Sequence, residues 1–230
     1  MATVLTSCGD DEPETPNSPI VGTWRSNDVG EGWSSWVVFR EDGTGLMADG
    51  KIDLSRLDDF GEFVSYTYNE EDQTVHVNLY DEDWSFQLQS ITDDYFITDL
   101  GDDDAYFRFT RQTSPQASAL IETSGQISKE RVGEHIKYYV ESHSGSCYFD
   151  ITPVIFWHEN LPPLTLKSAT AKYDPIEFDV TGDNSCTLSV YYSANHTSIE
   201  KRSTIELRFA NADNSVSLIY PITIHQKPAY

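Results

Sequence analysis

The sequence predicts an all-β protein: an N-terminal antiparallel meander or barrel, then a second unit in which two sheets pack as a sandwich. Three observations carry this. Aromatic residues make up 13% of the chain, with 13 Tyr and 11 Phe against 2 Met, and aromatic and β-branched side chains favour strands. Apolar residues recur with period two along short segments, the pattern of strands with one buried face. Acidic clusters interrupt those segments at hairpin intervals. At 230 residues the chain suits two small units better than one.

The first nineteen residues lie outside that pattern. Leu5-Thr6-Ser7-Cys8 is followed at once by Gly9-Asp10-Asp11-Glu12 and then by Pro13, Pro16 and Pro19. The prolines block a helix and stiffen the chain, so residues 1–19 read as a tether. The L-T-S-C stretch resembles a bacterial lipobox, in which small residues precede the Cys whose thiol is lipidated. The acids behind it resemble the export signal of surface lipoproteins of the Bacteroidetes. That resemblance implies a lipid anchor at Cys8, a place on the outer membrane facing the surface or the periplasm, and a precursor that begins upstream of Met1. No run of 18 apolar residues occurs, so no transmembrane helix is expected.

Residues 20–112 hold the meander. Glu41–Gly43 forms a turn between two strands, and five more strands follow to Arg111. Val75, Val77 and Leu79 alternate with polar residues, as do Trp84, Phe86 and Leu88. The acids at 69–72, 81–83, 93–94 and 102–104 mark hairpin turns, where Asp and Asn are at home. In an up-and-down meander these turns divide between two ends, which argues against one large metal site; no metal and no cofactor is expected. The stretch 51–63 breaks the pattern and reads as a loop or a short helix, with Leu54 and Leu57 one turn apart. Gly22-Thr23-Trp24 resembles the G-x-W of lipocalins, and the closing Tyr106–Arg111 segment fits the small lipocalin-like domains of Bacteroidetes lipoproteins. The resemblance implies that Trp24 is buried at the barrel floor and capped by Arg111, or alternatively by Arg108, in a cation–π contact.

Residues 113–126, rich in Ser, Thr and Gln, read as a linker. Residues 127–230 hold the sandwich. Strands are expected at 135–141 and wherever Phe178 and Val180, Leu188 and Val190, or Ile205, Leu207 and Phe209 alternate with polar residues. Pro221 marks an edge or a bulge. The final 40 residues loosely resemble immunoglobulin-like modules of the carbohydrate-binding BACON type. Cys147 and Cys186 are candidates for one disulfide, or for two buried thiols.

Charge narrows the partners. There are 38 acids and 15 bases, net −23; residues 1–112 carry 25 of those acids and 6 of the bases, net −19. Such a surface repels phosphate backbones, so nucleic acid is not an expected partner. The sequence contains none of the nucleotide-binding, zinc-protease or nucleophile-elbow motifs. Exposed tryptophans are the remaining candidates, because an indole face stacks on the C–H face of a sugar: Trp33, flanked by Gly and Ser, and Trp157, at a strand end. The favoured reading is a non-enzymatic, lipid-anchored binding or scaffold protein of the envelope, whose partners are a glycan or other envelope proteins. The alternatives are a carrier of a small apolar ligand in the barrel and a hydrolase using carboxylates at one barrel end.

Overall fold

The computed structural model describes residues 18–27, 32–63, 65–79, 82–99, 106–132, 135–173 and 176–229. These form eighteen strands and no helix. Cys8 and the tether before Ser18 lie outside the described residues, as does the expected acidic turn at 102–104.

Nine strands make the first sheet: β1 (Gly22–Ser26), β2 (Trp33–Phe39), β3 (Gly45–Lys51), β4 (Leu57–Phe63), β5 (Ser65–Asn69), β6 (Thr74–Leu79), β7 (Glu82–Ile91), β8 (Tyr95–Asp99) and β9 (Tyr106–Arg111). Their order is β4-β3-β2-β1-β9-β8-β7-β6-β5, antiparallel throughout. The stretch expected as a loop or helix is instead a turn, with Leu54 at φ 57°, followed by β4. Leu54 and Leu57 are both buried because they face the second half of the molecule, which a local reading does not contain.

The sheet rolls up. Its first and last strands adjoin, and the edge strand β4 packs near β6. The other edge strand, β5, is tied to the turn between β2 and β3: the Tyr66 amide donates to the Gly43 carbonyl at 2.7 Å, and the Tyr66 hydroxyl donates to the Arg40 carbonyl at 2.7 Å. Burial first, then Asp42 and Glu41, push the Tyr66 hydroxyl up to about 12. The interior is filled by the sheet's own side chains, among them Trp24, Phe39, Val75, Phe96 and Phe109.

Trp24 closes the floor. It is fully buried, directly opposite Arg111 in the β1–β9 pair, and edge-on to Phe96 at 5.0 Å. Its indole N–H donates to the Ile20 carbonyl at 2.8 Å. The Arg111 guanidinium lies 4.1 Å above the ring and donates to the carbonyls of Val21, Pro19 and Asp93. Burial pulls the Arg111 pKa down, against Asp93 and Asp94. A Cβ on Gly22 would overlap that guanidinium, which explains the glycine two residues before Trp24. Arg108 lies over Tyr95 at 4.1 Å instead.

Two further sheets face each other across a separate core. One runs β10 (Gln116–Gly125), β13 (Gly145–Phe156), β16 (Cys186–Tyr192), β15 (Glu177–Thr181). The other runs β11 (Ser128–Val132), β12 (His135–Val140), β18 (Ser217–Gln226), β17 (Lys201–Ala210), β14 (Thr165–Tyr173). β12 pairs β18 in parallel and only from Ile224 onward, so Pro221 sits where β18 has no neighbour on that side. Pro153 is tolerated in β13 for the same reason, because β16 pairs only as far as Ile151.

The expected linker is not one. Gln116–Gly125 is strand β10, paired residue for residue with β13. Over residues 118–120 and 152–156 the two strands form a ribbon with both faces packed. Ala117, Ala119, Ile121, Phe149 and Ile151 face the sandwich core. Leu120, Val154 and Phe156 face outward onto Trp36, Val38, Leu46 and Ala48 of the rolled sheet. The Ser118 hydroxyl, fully buried there, donates to the Leu54 carbonyl at 2.7 Å. Small polar residues in this stretch mark close approach between sheets rather than a solvated connection.

Of the two readings for Cys147 and Cys186, one disulfide or two buried thiols, the structure shows the second. Cys147 lies opposite Val190 and Cys186 opposite Ile151. Four residues of stagger separate them by about 13 Å along the strands, beyond the reach of a bridge. Both are buried free thiols, and burial pushes them up to about 12 and about 11, Asp150 adding to the second.

Two outcomes follow for stability. Trp24→Ala should lower the unfolding free energy by about 3–5 kcal/mol in denaturant titration, and Arg111→Ala by about 1 kcal/mol or somewhat more; an Arg111 variant as damaging as Trp24→Ala would assign the floor to hydrogen bonding rather than to ring packing. Because both halves own the cluster around Phe156, Trp fluorescence and far-ultraviolet circular dichroism should report one coincident transition. Phe156→Ala should destabilise it by about 3–5 kcal/mol. Two resolved transitions in the unaltered protein would show that the ribbon does not couple the halves.

Candidate functional site

β13 ends at Phe156, buried in the contact between the halves against Trp36, with ring centroids 5.4 Å apart. The next residue, Trp157, therefore emerges at the border of the two halves. A groove of about 620 Å³ opens there, with Trp157, Pro163 and Leu46 among its apolar walls and Arg40, Asn160 and Asn184 among its polar ones. A second hollow of about 700 Å³ continues it past His158 to Asp93 and Arg111 at the floor of the rolled sheet. The two share Arg40, Asp42, Glu159 and Asn160.

The wall is built by the loop Trp157-His158-Glu159-Asn160-Leu161-Pro162-Pro163. Two prolines fix its backbone, and Leu164, 2% exposed, anchors its end in the sandwich core. Trp157 is half-buried and its ring lies 4.4 Å from that of His158. His158 Nδ1 is 3.3 Å from the Thr23 hydroxyl, which ties the loop to β1. Desolvation, more than its charged neighbours, holds the His158 pKa below the ordinary histidine value, so the imidazole is neutral at pH 7. On the opposite wall the Asp42 carboxylate accepts bonds from the Thr44 hydroxyl (2.7 Å) and amide (3.0 Å). Those bonds hold its pKa low, so it stays ionised.

Trp33 is placed differently from the sequence expectation. It is half-buried, with Arg56 Cζ 4.6 Å, Lys51 Nζ 4.7 Å and Arg131 Cζ 5.5 Å from its ring centre. Arg56 also pairs with Asp58. Cations from both halves thus crowd around the ring. Gly and Ser neighbours made it look exposed, yet small neighbours are also what lets long cationic side chains close over a ring.

Trp157 and Trp33 thus lie in different places and share no site. Sequence reasoning missed Arg40, Asp42, Asn160 and Asn184 as partners of Trp157. Three of them come from hairpin turns far away in the chain, Arg40 and Asp42 between β2 and β3 and Asn184 between β15 and β16; only the paired prolines after Asn160 hinted at a rigid, shaped loop. Among the described residues no three His, Cys, Asp or Glu side chains converge as metal ligands.

No family model matches the chain, and no curated protein does. A solved structure, that of the Vibrio cholerae VesB protease, aligns over 90% of this chain and 96% of that one, with a TM-score of 0.29 and 11% identity. A likeness at that level carries no argument about fold or activity.

Proposed function

We propose that this is a non-enzymatic binding protein of the bacterial envelope, held at the outer membrane by lipid on Cys8, that takes a glycan in the groove beside Trp157. One observation carries the glycan part: an indole at the wall of an interdomain groove, surrounded by planar amide, carboxylate and guanidinium groups. A sugar presents an apolar C–H face and a ring of hydroxyls, and needs just such a platform with polar groups at its border. The loop that carries the indole is stiffened in advance, so little entropy is lost when it is engaged.

The filled interior of the rolled sheet speaks for this reading over a carrier with an apolar ligand inside it. The Trp24–Arg111 stack supports a lipocalin-like relationship for the first nine strands. Among the described residues no helix is long and apolar enough to cross a membrane.

Binding is tested by titrating the protein with neutral cello-, xylo-, manno- and malto-oligosaccharides and following tryptophan fluorescence and heat. At least one series should saturate, and Trp157→Ala should weaken it about tenfold or more, while Trp33→Ala changes affinity little. Saturation that survives Trp157→Ala would move the site elsewhere; no saturation with any series would end the glycan reading. The anchor is tested in the native host. Cys8→Ala should abolish labelling by a fatty-acid probe and release the protein from the membrane fraction. A variant that stays membrane-bound would refute the anchor.

A further inference from the structure

The far end of the sandwich holds a second cavity, of about 470 Å³, between the two sheets. It lies where β13 begins, at the opposite end of that strand from the Trp157 groove. Val140, Ile176, Tyr192 and Ile224 give it an apolar floor, and Lys201 and Gln226 stand at its polar side. This volume falls within the usual range for small-molecule sites, about 300–1,000 Å³.

Lys201 is the informative residue. In β17 the residues Ser203, Ile205, Leu207 and Phe209 are buried and face the core, whereas Arg202 and Arg208 are exposed. Alternation puts Lys201 on the buried side, at the cavity mouth. Two other lysines are matched with acids, Lys172 with Glu206 and Lys227 with Glu141, the latter at 2.7 Å. The acid next to Lys201, Glu200, is committed to His225 Nδ1 at 2.7 Å. Glu177 borders the cavity from β15, but it shares the outer face of its sheet with Tyr191 and forms no ion pair with Lys201. In a chain with 38 acids and 15 bases, this cation stands at the mouth of a cavity with an apolar floor and has no carboxylate partner among the described residues.

The wall beside it is fixed. The Gln226 side-chain amide donates to the carbonyls of Ser193, at 2.8 Å, and Glu141, at 3.3 Å, which links β18 to the strand ends across the opening. We infer that this cavity binds a small amphipathic monocarboxylate, its carboxylate on Lys201 and its apolar body between the sheets against Val140, Ile176, Tyr192 and Ile224. A carboxylate there meets an ammonium at the edge of a low-dielectric space, where a charge-assisted hydrogen bond is strongest. The apolar body gains by leaving water. A dianion or a bare inorganic anion would leave either a charge or the floor unmatched.

The probes are hexanoate and phenylacetate, each compared with its uncharged amide, against the full chain by calorimetry and by NMR shifts of the valine and isoleucine methyls. Saturable binding is expected in the millimolar range or tighter, with each carboxylate favoured over its amide by about tenfold or more. Lys201→Met, at a partly exposed strand start, should leave the melting temperature unchanged and remove the preference, while Lys201→Arg keeps most of it. Lack of saturation, equal affinity for acid and amide, or a preference that survives Lys201→Met would each overturn the assignment. None of these outcomes bears on the Trp157 groove, which shares no residue with this cavity.

Discussion

The architecture depends on one constraint: over residues 118–120 and 152–156 the β10–β13 ribbon is packed on both faces. Its odd-numbered residues, such as Ala119 and Ile151, fill the sandwich, and its even-numbered residues, such as Val154 and Phe156, cover the outside of the rolled sheet. With either half removed, one apolar stretch of the ribbon would face water. It also removes the most hydrophobic outer surface of the roll, the β2 and β3 positions Trp36, Val38, Leu46 and Ala48, from water. The two halves are therefore one packing problem. The Ser118 hydroxyl supplies the polar detail, since it satisfies a Leu54 carbonyl that this contact would otherwise bury without a partner.

The candidate groove is a by-product of the same contact. β13 must end where the ribbon leaves the roll, and the residue after Phe156 has nowhere to go but the border between the halves. The floor of the roll supplies the other wall. Arg111 is held by three carbonyls and by the face of Trp24, and Gly22 leaves the space it needs. His158 then bonds to Thr23, the residue between Gly22 and Trp24. Barrel floor, loop and groove thus form a single chain of contacts. A rigid floor is what makes a groove between two halves a defined shape rather than a gap.

Much of this was legible in the sequence, for identifiable reasons. Period-two alternation found β6, β16 and β17, because each has one buried face and one wet face. The glycine, tryptophan and terminal arginine that converge at the floor were visible because their chemistry is specific. The sequence misled wherever burial came from a distant partner. Residues 116–125 looked like a linker because Ser and Ala suit both a solvated connection and a tight sheet-to-sheet contact. Leu54 and Leu57 suggested a helical turn because the surface they cover belongs to another half. The run Trp36-Val37-Val38-Phe39 did carry the needed hint, since an unbroken apolar stretch in a strand means burial on both sides. Cys147 and Cys186 could be paired on composition alone, but not once the register staggered them.

The distribution of charge gives the molecule its chemical character. Residues 1–112 contain six bases, and five of them lie over aromatic rings: Arg25 over Trp36, Lys51 and Arg56 over Trp33, Arg108 over Tyr95, Arg111 over Trp24. Their side chains close over rings, Arg56 also pairing with Asp58, and six bases cannot offset 25 acids. Several of those acids serve as turn acceptors, as Asp42, Asp53 and Asp72 do for backbone amides two residues on. The surface field that results is negative and only weakly compensated, which disfavours anionic polymers at long range. The sixth base, Arg40, faces the groove. A neutral, hydroxyl-rich ligand meets no penalty in that field and finds there one guanidinium donor among carboxylate and amide acceptors. A small carboxylate would have to reach Lys201, on the half with the smaller net charge, where the repulsion it meets on approach is least.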